Sequence, residues 1–163
     1  MKVIFLDVDG VLNCQKTEAR CGAFIGVDSK KVKLLKKIVD ATDAKIVLSS
    51  SWKIGWWKYH KEDQDREGHY LDQKLKRERL CIIDKTTDPD CSRRGEGILN
   101  WMDDHIVESF VILDDEVFDY ERCNIMDRLV KTSFYDDDGG LQEQHVEQAI
   151  NILRGGHKSK WIL

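Results

Sequence analysis

The sequence predicts an α/β fold with a central parallel sheet and helices on both faces. Three observations carry that prediction. Short apolar runs of strand formers recur along the chain, helical apolar spacing lies between them, and 163 residues make one domain with a real core but not two.

Taken in order, Lys2 to Leu6 (KVIFL) suits a strand buried on both faces. Asp28-Ser29 supplies a helix N-cap, and Val32, Leu35, Ile38 and Val39 follow at helical spacing with Lys30, Lys31, Lys33, Lys36 and Lys37 mostly on other faces. Ala44 to Leu48 (AKIVL) reads as the second strand and ends at Ser49-Ser50-Ser51. The polar stretch from Trp52 to Arg79 reads as helical. Ile98, Trp101, Met102 and His105 mark a further helix. Ser109 to Leu113 (SFVIL) reads as the third strand, ending at Asp114-Asp115, and Leu129 to Thr132 as a weaker fourth. Val146, Ala149, Ile150 and Leu153 form the last helical pattern, with Gly139-Gly140 before it and Gly155-Gly156 after it. The tail, His157 to Leu163, reads as a short, basic, loosely ordered segment. With no internal repeat and no linker, the expected organisation is a single domain over 1–163 with a small helical insert around 52–92.

Composition narrows the function. Net charge is −4, which excludes a wholesale basic nucleic-acid footprint but not a local basic face. No apolar run approaches the ~18–20 residues that span a bilayer, and Met1-Lys2 begins a poor signal peptide. Cys14, Cys21, Cys81, Cys91 and Cys123 are scattered without a C-x-x-C pair, which speaks for reduced thiols and a cytoplasmic protein rather than a zinc ribbon.

In an open parallel sheet, ligands bind beyond the carboxyl ends of the strands. Asp7 and Asp9 follow the first strand, Ser49 and Ser50 the second, Asp114 and Asp115 the third, and Arg93 and Arg94 precede the Ile98 helix. Crowded carboxylates raise one another's pKa unless a cation neutralises them. A hard divalent ion with oxygen ligands, Mg²⁺ above all, is the natural solution. Hydroxyls and a guanidinium then hold the remaining oxygens of a phosphoryl group. One carboxylate beside that group can attack it, and a second can protonate the leaving oxygen. Each piece alone has an ordinary structural alternative, as a turn, a helix cap or a surface pair. Their joint placement at consecutive strand ends favours chemistry.

The strings VIFLDVDGVLN, IVLSS and VILDDEVFD resemble the first, second and fourth motifs of the haloacid dehalogenase (HAD) superfamily. More narrowly, DVDGVLN, IVLSSSW, RRGEGILNW and VILDDE resemble the HAD domain of Swiss Army knife RNA-repair proteins. The resemblance implies a HAD-like Rossmannoid three-layer sandwich and an Mg²⁺-dependent phosphatase acting through an aspartyl-phosphate. It implies Asp7 as nucleophile and metal ligand, and Asp9 as general acid/base with its backbone carbonyl on the metal. It implies Ser49 as the phosphate-binding hydroxyl, with Ser50 as the competing register, and Asp114 and Asp115 as metal-binding acids. Asp119 is a candidate supporting acid. Arg94 suits the basic third motif, with Arg93 or Lys85 as alternatives.

Too few residues separate the motifs for a large cap, so a capless or minimally capped rim is expected, and with it a large phosphorylated substrate such as a nucleic-acid end. Nucleotidase and phosphoprotein phosphatase activities are the enzymatic rivals, and a binding module for phosphorylated ends is the non-enzymatic one. Trp52 to His60 (WKIGWWKYH) interleaves aromatics with Lys53 and Lys58, a composition on which single strands stack. Trp52 and Trp56 read as core partners at i, i+4 spacing, which leaves Trp57 and Lys53 as candidate substrate contacts. Lys74, Lys76, Arg77 and Arg79 read as a solvated helix face, and Asp136-Asp137-Asp138 as an exposed loop. Oligomeric state is not legible.

Overall fold

In the computed structural model, which describes residues 1–155, the run Lys2–Leu6 forms strand β1, and Val3, Ile4, Phe5 and Leu6 are all fully buried. Alternation sends Ile4 and Leu6 to one face of the sheet and Val3 and Phe5 to the other, each into its own apolar cluster. A strand with no solvated face needs apolar residues at every position, which is why this element was readable as an unbroken run.

The remaining elements are a short antiparallel hairpin, β2 (Arg20–Cys21) and β3 (Phe24–Ile25), then α1 (Ser29–Thr42), β4 (Lys45–Leu48), α2 (Arg66–Lys76), β5 (Ile82–Lys85), α3 (Arg94–Asp103), β6 (Ser109–Asp114), β7 (Leu129–Lys131) and α4 (Glu143–Leu153). Five parallel strands make the central sheet in the order β5-β4-β1-β6-β7. Val32, Leu35 and Ile38 of α1, Leu71 and Leu75 of α2, and Val146, Ala149 and Ile152 of α4 cover the Ile4 face, while Ile98 and Trp101 of α3 cover the Val3 face. The result is the expected three-layer α/β sandwich. Burying each such aliphatic side chain is worth about 1.5–3 kcal/mol. As expected, Asp28 caps α1, its carboxylate accepting from the Lys30 amide at 2.9 Å.

Four features differ from expectation. The stretch 52–79 is not continuously helical: a 3₁₀ turn at Ser51–Gly55 and another at Lys61–Asp63 precede α2. Trp56 is extended there because its fully buried ring is tied to Asp72, the indole N–H donating at 2.9 Å. Trp52 and Trp56 are therefore both core, but on no common helix. The segment then adds β5, a strand that was not expected, and the hairpin β2–β3 lies between Asn13 and α1, where only a short loop was expected. His105 falls just beyond α3. The tail His157 to Leu163 lies outside the described residues.

β1 sits between β4 and β6. The chain builds one side of the sheet through β4 and β5 and the other through β6 and β7, so a crevice opens beyond the carboxyl ends of β1 and β6. Leu6 pairs in register with both Leu48 and Leu113. The next residues along, Ser49, Asp7 and Asp114, therefore emerge side by side at the rim. Among the described residues, no helix is long and apolar enough to cross a membrane.

Candidate active site

Backbone hydrogen bonds pin this rim. The Asp7 amide donates to the Leu113 carbonyl and the Ser49 amide to the Leu6 carbonyl, both at 2.9 Å. Carboxylate oxygens of Asp7, Asp114 and Asp115 all lie within 4.8 Å of one another, with Asp7 and Asp114 buried and Asp115 half-buried. Burial first, then the charges of Asp114 and Asp115, push the Asp7 pKa well above the usual carboxylate range, against the pull of Arg94. Burial likewise raises Asp115. Three crowded carboxylates, two of them buried, fit a hard divalent cation. A second grouping, His60, Glu62 and Asp63, is exposed throughout and has no buried donor.

Among the described residues, Arg94 is the cation paired with these acids. Arg94, the first residue of α3, donates to Asp114 at 2.8 Å and stands 3.4 Å from Asp7. Burial opposes its charge, but Asp7 and Asp114 outweigh that and raise its pKa. Its guanidinium also lies on the Phe118 ring, 4.2 Å from the centroid. The helix that delivers Arg94 is anchored by Asp119, whose carboxylate accepts from the Gly95 amide at 2.6 Å and the Glu96 amide at 3.2 Å. Asp119 thus supports the site by capping α3. Tyr120 donates to Asp114 at 2.7 Å, and burial followed by the charge of Asp114 raises its phenol pKa.

Asp9 stands outside the carboxylate triad. Its Oδ1 accepts from the Asn13 side chain at 2.9 Å and its Oδ2 from the Trp52 indole N–H at 3.1 Å. Asn13 also receives the Gly10 amide and donates to the Gly26 carbonyl, both at 2.9 Å, locking the loop after β1. Gly10 has φ +84°, and a Cβ there would fall 2.3 Å from Cγ of Asp115. Only glycine lets the Asp115 carboxylate approach this closely. The Thr132 hydroxyl, from the residue after β7, donates to the Gly10 carbonyl and ties the loop to the far side of the sheet.

Asp7, Asp9, Asp115 and Arg94 open onto a cleft of about 440 Å³, whose walls include Trp52, Phe118, Phe134 and Tyr135 together with Phe24 and Ile25 of the hairpin. Asp114 is fully buried behind this surface.

The family model for the HAD domain in Swiss Army Knife RNA repair proteins matches residues 3–146. The chain belongs to this family. Family membership supports HAD-type hydrolase or phosphatase chemistry in general. No curated protein matches the chain, and no solved structure does.

Within this HAD domain the other sequence candidates take definite places. Ser49 Oγ is fully buried and has no hydrogen-bond partner among the described residues. Ser50 caps the turn at Ser51–Gly55, its hydroxyl accepting from the Trp52 amide at 3.2 Å. That bond engages Ser50 locally; Ser49 stays unpartnered, and neither hydroxyl belongs to a residue that lines the cleft. Arg93 points to other partners, Glu96 at 2.7 Å and Asp90 at 3.4 Å, because the start of α3 turns consecutive side chains apart. Lys85 donates to the backbone carbonyls of Lys53 and Trp56 at 2.8 and 2.6 Å and lies over the Trp57 ring. Lys53 is held by Asp88 at 2.6 Å and Thr86 at 3.0 Å and lines a neighbouring cleft shared with Arg94. Burial lowers its pKa, partly offset by Asp88. Trp57 is half exposed but does not line the Asp7 cleft. Tyr120 and the loop aromatics carry no signal in the sequence, whereas Asn13 and Trp52 do, as the last residues of DVDGVLN and IVLSSSW.

Proposed function

We propose that the protein is a magnesium-dependent phosphomonoester phosphatase that forms an aspartyl-phosphate on Asp7 and acts on nucleic-acid ends. The observation that carries this reading is the gathering of Asp7, Asp114 and Asp115 within 4.8 Å, with Arg94 joining Asp7 to Asp114. Asp7, Asp114, Asp115 and the Asp9 backbone carbonyl would hold Mg²⁺. When bound, the ion would neutralise these acids and draw charge from the phosphoryl oxygens.

The chain's own residues then divide the work. Asp7 attacks phosphorus, and the bond to the leaving alkoxide breaks as Asp9 gives that oxygen a proton. Asp9 next takes a proton from water, which attacks phosphorus, releases inorganic phosphate and regenerates Asp7. Arg94 and Ser49 hold the non-bridging oxygens. A phosphate oxygen would satisfy the otherwise orphaned Ser49 hydroxyl, whose unpaired burial costs about 1–3 kcal/mol. The nucleic-acid end follows the description of the matched family and the open cleft. A cytoplasmic setting suits the five free thiols.

The test is turnover of p-nitrophenyl phosphate with Mg²⁺ and with EDTA, followed by 3′- and 5′-phosphorylated oligonucleotides, nucleotides and phosphopeptides. Mg²⁺-dependent turnover with preference for phosphorylated ends is expected. Tight binding of such ends without turnover would replace this reading with a binding module.

A further inference from the structure

The wall of the Asp7 cleft carries more aromatic surface than phosphoryl chemistry needs. Phe24 on the hairpin is 58% exposed and Tyr135 is 76% exposed, and both line the cleft. Phe134 lines it as well and meets Tyr135 edge-on, with ring centroids 5.0 Å apart. Large rings left this open to water on a phosphoryl site call for a flat partner. The charges restrict that partner further. Among the described residues that line the cleft, Asp7, Asp9, Asp115 and Glu116 are acidic and Arg94 is the one basic side chain, already paired with Asp7 and Asp114. A second phosphate in this cleft would meet the carboxylates of Asp9 and Glu116, which lie outside the acidic group that would hold the ion. The volume, about 440 Å³, is in the range of small-molecule pockets.

We infer that the cleft takes a single terminal nucleotide, its base stacked on Phe24 and Tyr135, with no subsite for the phosphates behind it. The inference rests on the phosphatase reading for the position of the phosphate. Recognition is thus carried by stacking rather than by charge, unlike proteins that track a nucleic-acid backbone. Glu116, exposed and lining the same cleft, offers hydrogen-bond acceptors to the polar edge of such a nucleotide.

Equilibrium binding to Asp7→Asn protein in Mg²⁺ tests this without turnover. The probes are a nucleoside monophosphate, the matching ribose phosphate, a phosphorylated dinucleotide and a phosphotyrosine peptide. The nucleotide is expected to bind about 5- to 150-fold more tightly than the ribose phosphate, the range of one stacked base. The dinucleotide should gain less than about threefold over the mononucleotide, and its affinity should vary little with salt. Phe24→Ala and Tyr135→Ala, made singly, should each shrink the preference for the base-bearing ligand, and the melting temperature of each variant shows whether it is folded. Equal binding of nucleotide and ribose phosphate, or a preference that survives both substitutions, would overturn the inference, as would tighter binding of the phosphopeptide. Wild-type turnover of acetyl phosphate, assayed separately with Mg²⁺ and with EDTA, reports on the phosphatase reading alone.

Discussion

The indole N–H of Trp52 donates to Asp9 Oδ2 at 3.1 Å, across 43 positions of sequence. With Asn13 on the other oxygen, it fixes the carboxylate assigned to proton transfer. Trp52→Phe keeps most of the packing and deletes the donor. We expect kcat to fall about tenfold, the scale of one hydrogen bond to a charged group, with Mg²⁺ affinity little changed. Steady-state kinetics and a Mg²⁺ titration check both halves.

Gly10→Ala places a methyl group against Asp115 on a left-handed backbone. The strain is on the order of 1–3 kcal/mol, read as a lower melting temperature. Mg²⁺ affinity should fall with it, because Asp115 is pushed from its place. A variant as stable and as Mg²⁺-responsive as the parent would show that the close approach is unimportant.

Arg94→Met removes the counter-charge from two buried carboxylates. Breaking a buried pair from one side costs about 3–5 kcal/mol. Added Mg²⁺ should recover much of that loss, so the Mg²⁺-induced rise in melting temperature should exceed that of the parent. An equal rise in both proteins would separate Arg94 from the acids energetically.

In EDTA, the raised pKa of Asp7 sets a direction for stability. Between the ordinary carboxylate value and the raised one, the folded chain binds a proton that the unfolded chain does not, so stability falls as pH rises through this window. Asp115 contributes with the same sign. Asp7→Asn mimics the protonated form. It should be more stable than the parent at neutral pH without metal and show a flatter pH dependence, as measured by thermal melts across that range.

The legible parts of the fold were those with their own local pattern. β1, β4 and β6 announce themselves because burial on both faces leaves no polar position inside the run. β5 does not: only Ile82 and Ile83 are apolar, three of its four residues are half-buried, and it has one neighbour at the sheet edge. The hairpin pairs two residues with two, too few for a period to appear. The acids were legible because strand ends must converge at the switch point. The aromatic wall was not, since Phe24 and Tyr135 come from segments 111 positions apart and line one cleft only in the fold. The contiguous aromatics from Trp52 to Tyr59 take different places: Trp56 is core, Trp52 is mostly buried but lines the cleft, and Trp57 lies off it.

The central claim is that Asp7 receives the phosphoryl group. Acid quenching during turnover of p-nitrophenyl phosphate, followed by peptide mapping, addresses it most directly. The account predicts an acid-stable, base-labile phosphoryl group on the peptide containing Asp7, lost in EDTA and in Asp7→Asn. Undiminished turnover by Asp7→Asn, or a phosphoryl group on another residue, would contradict it.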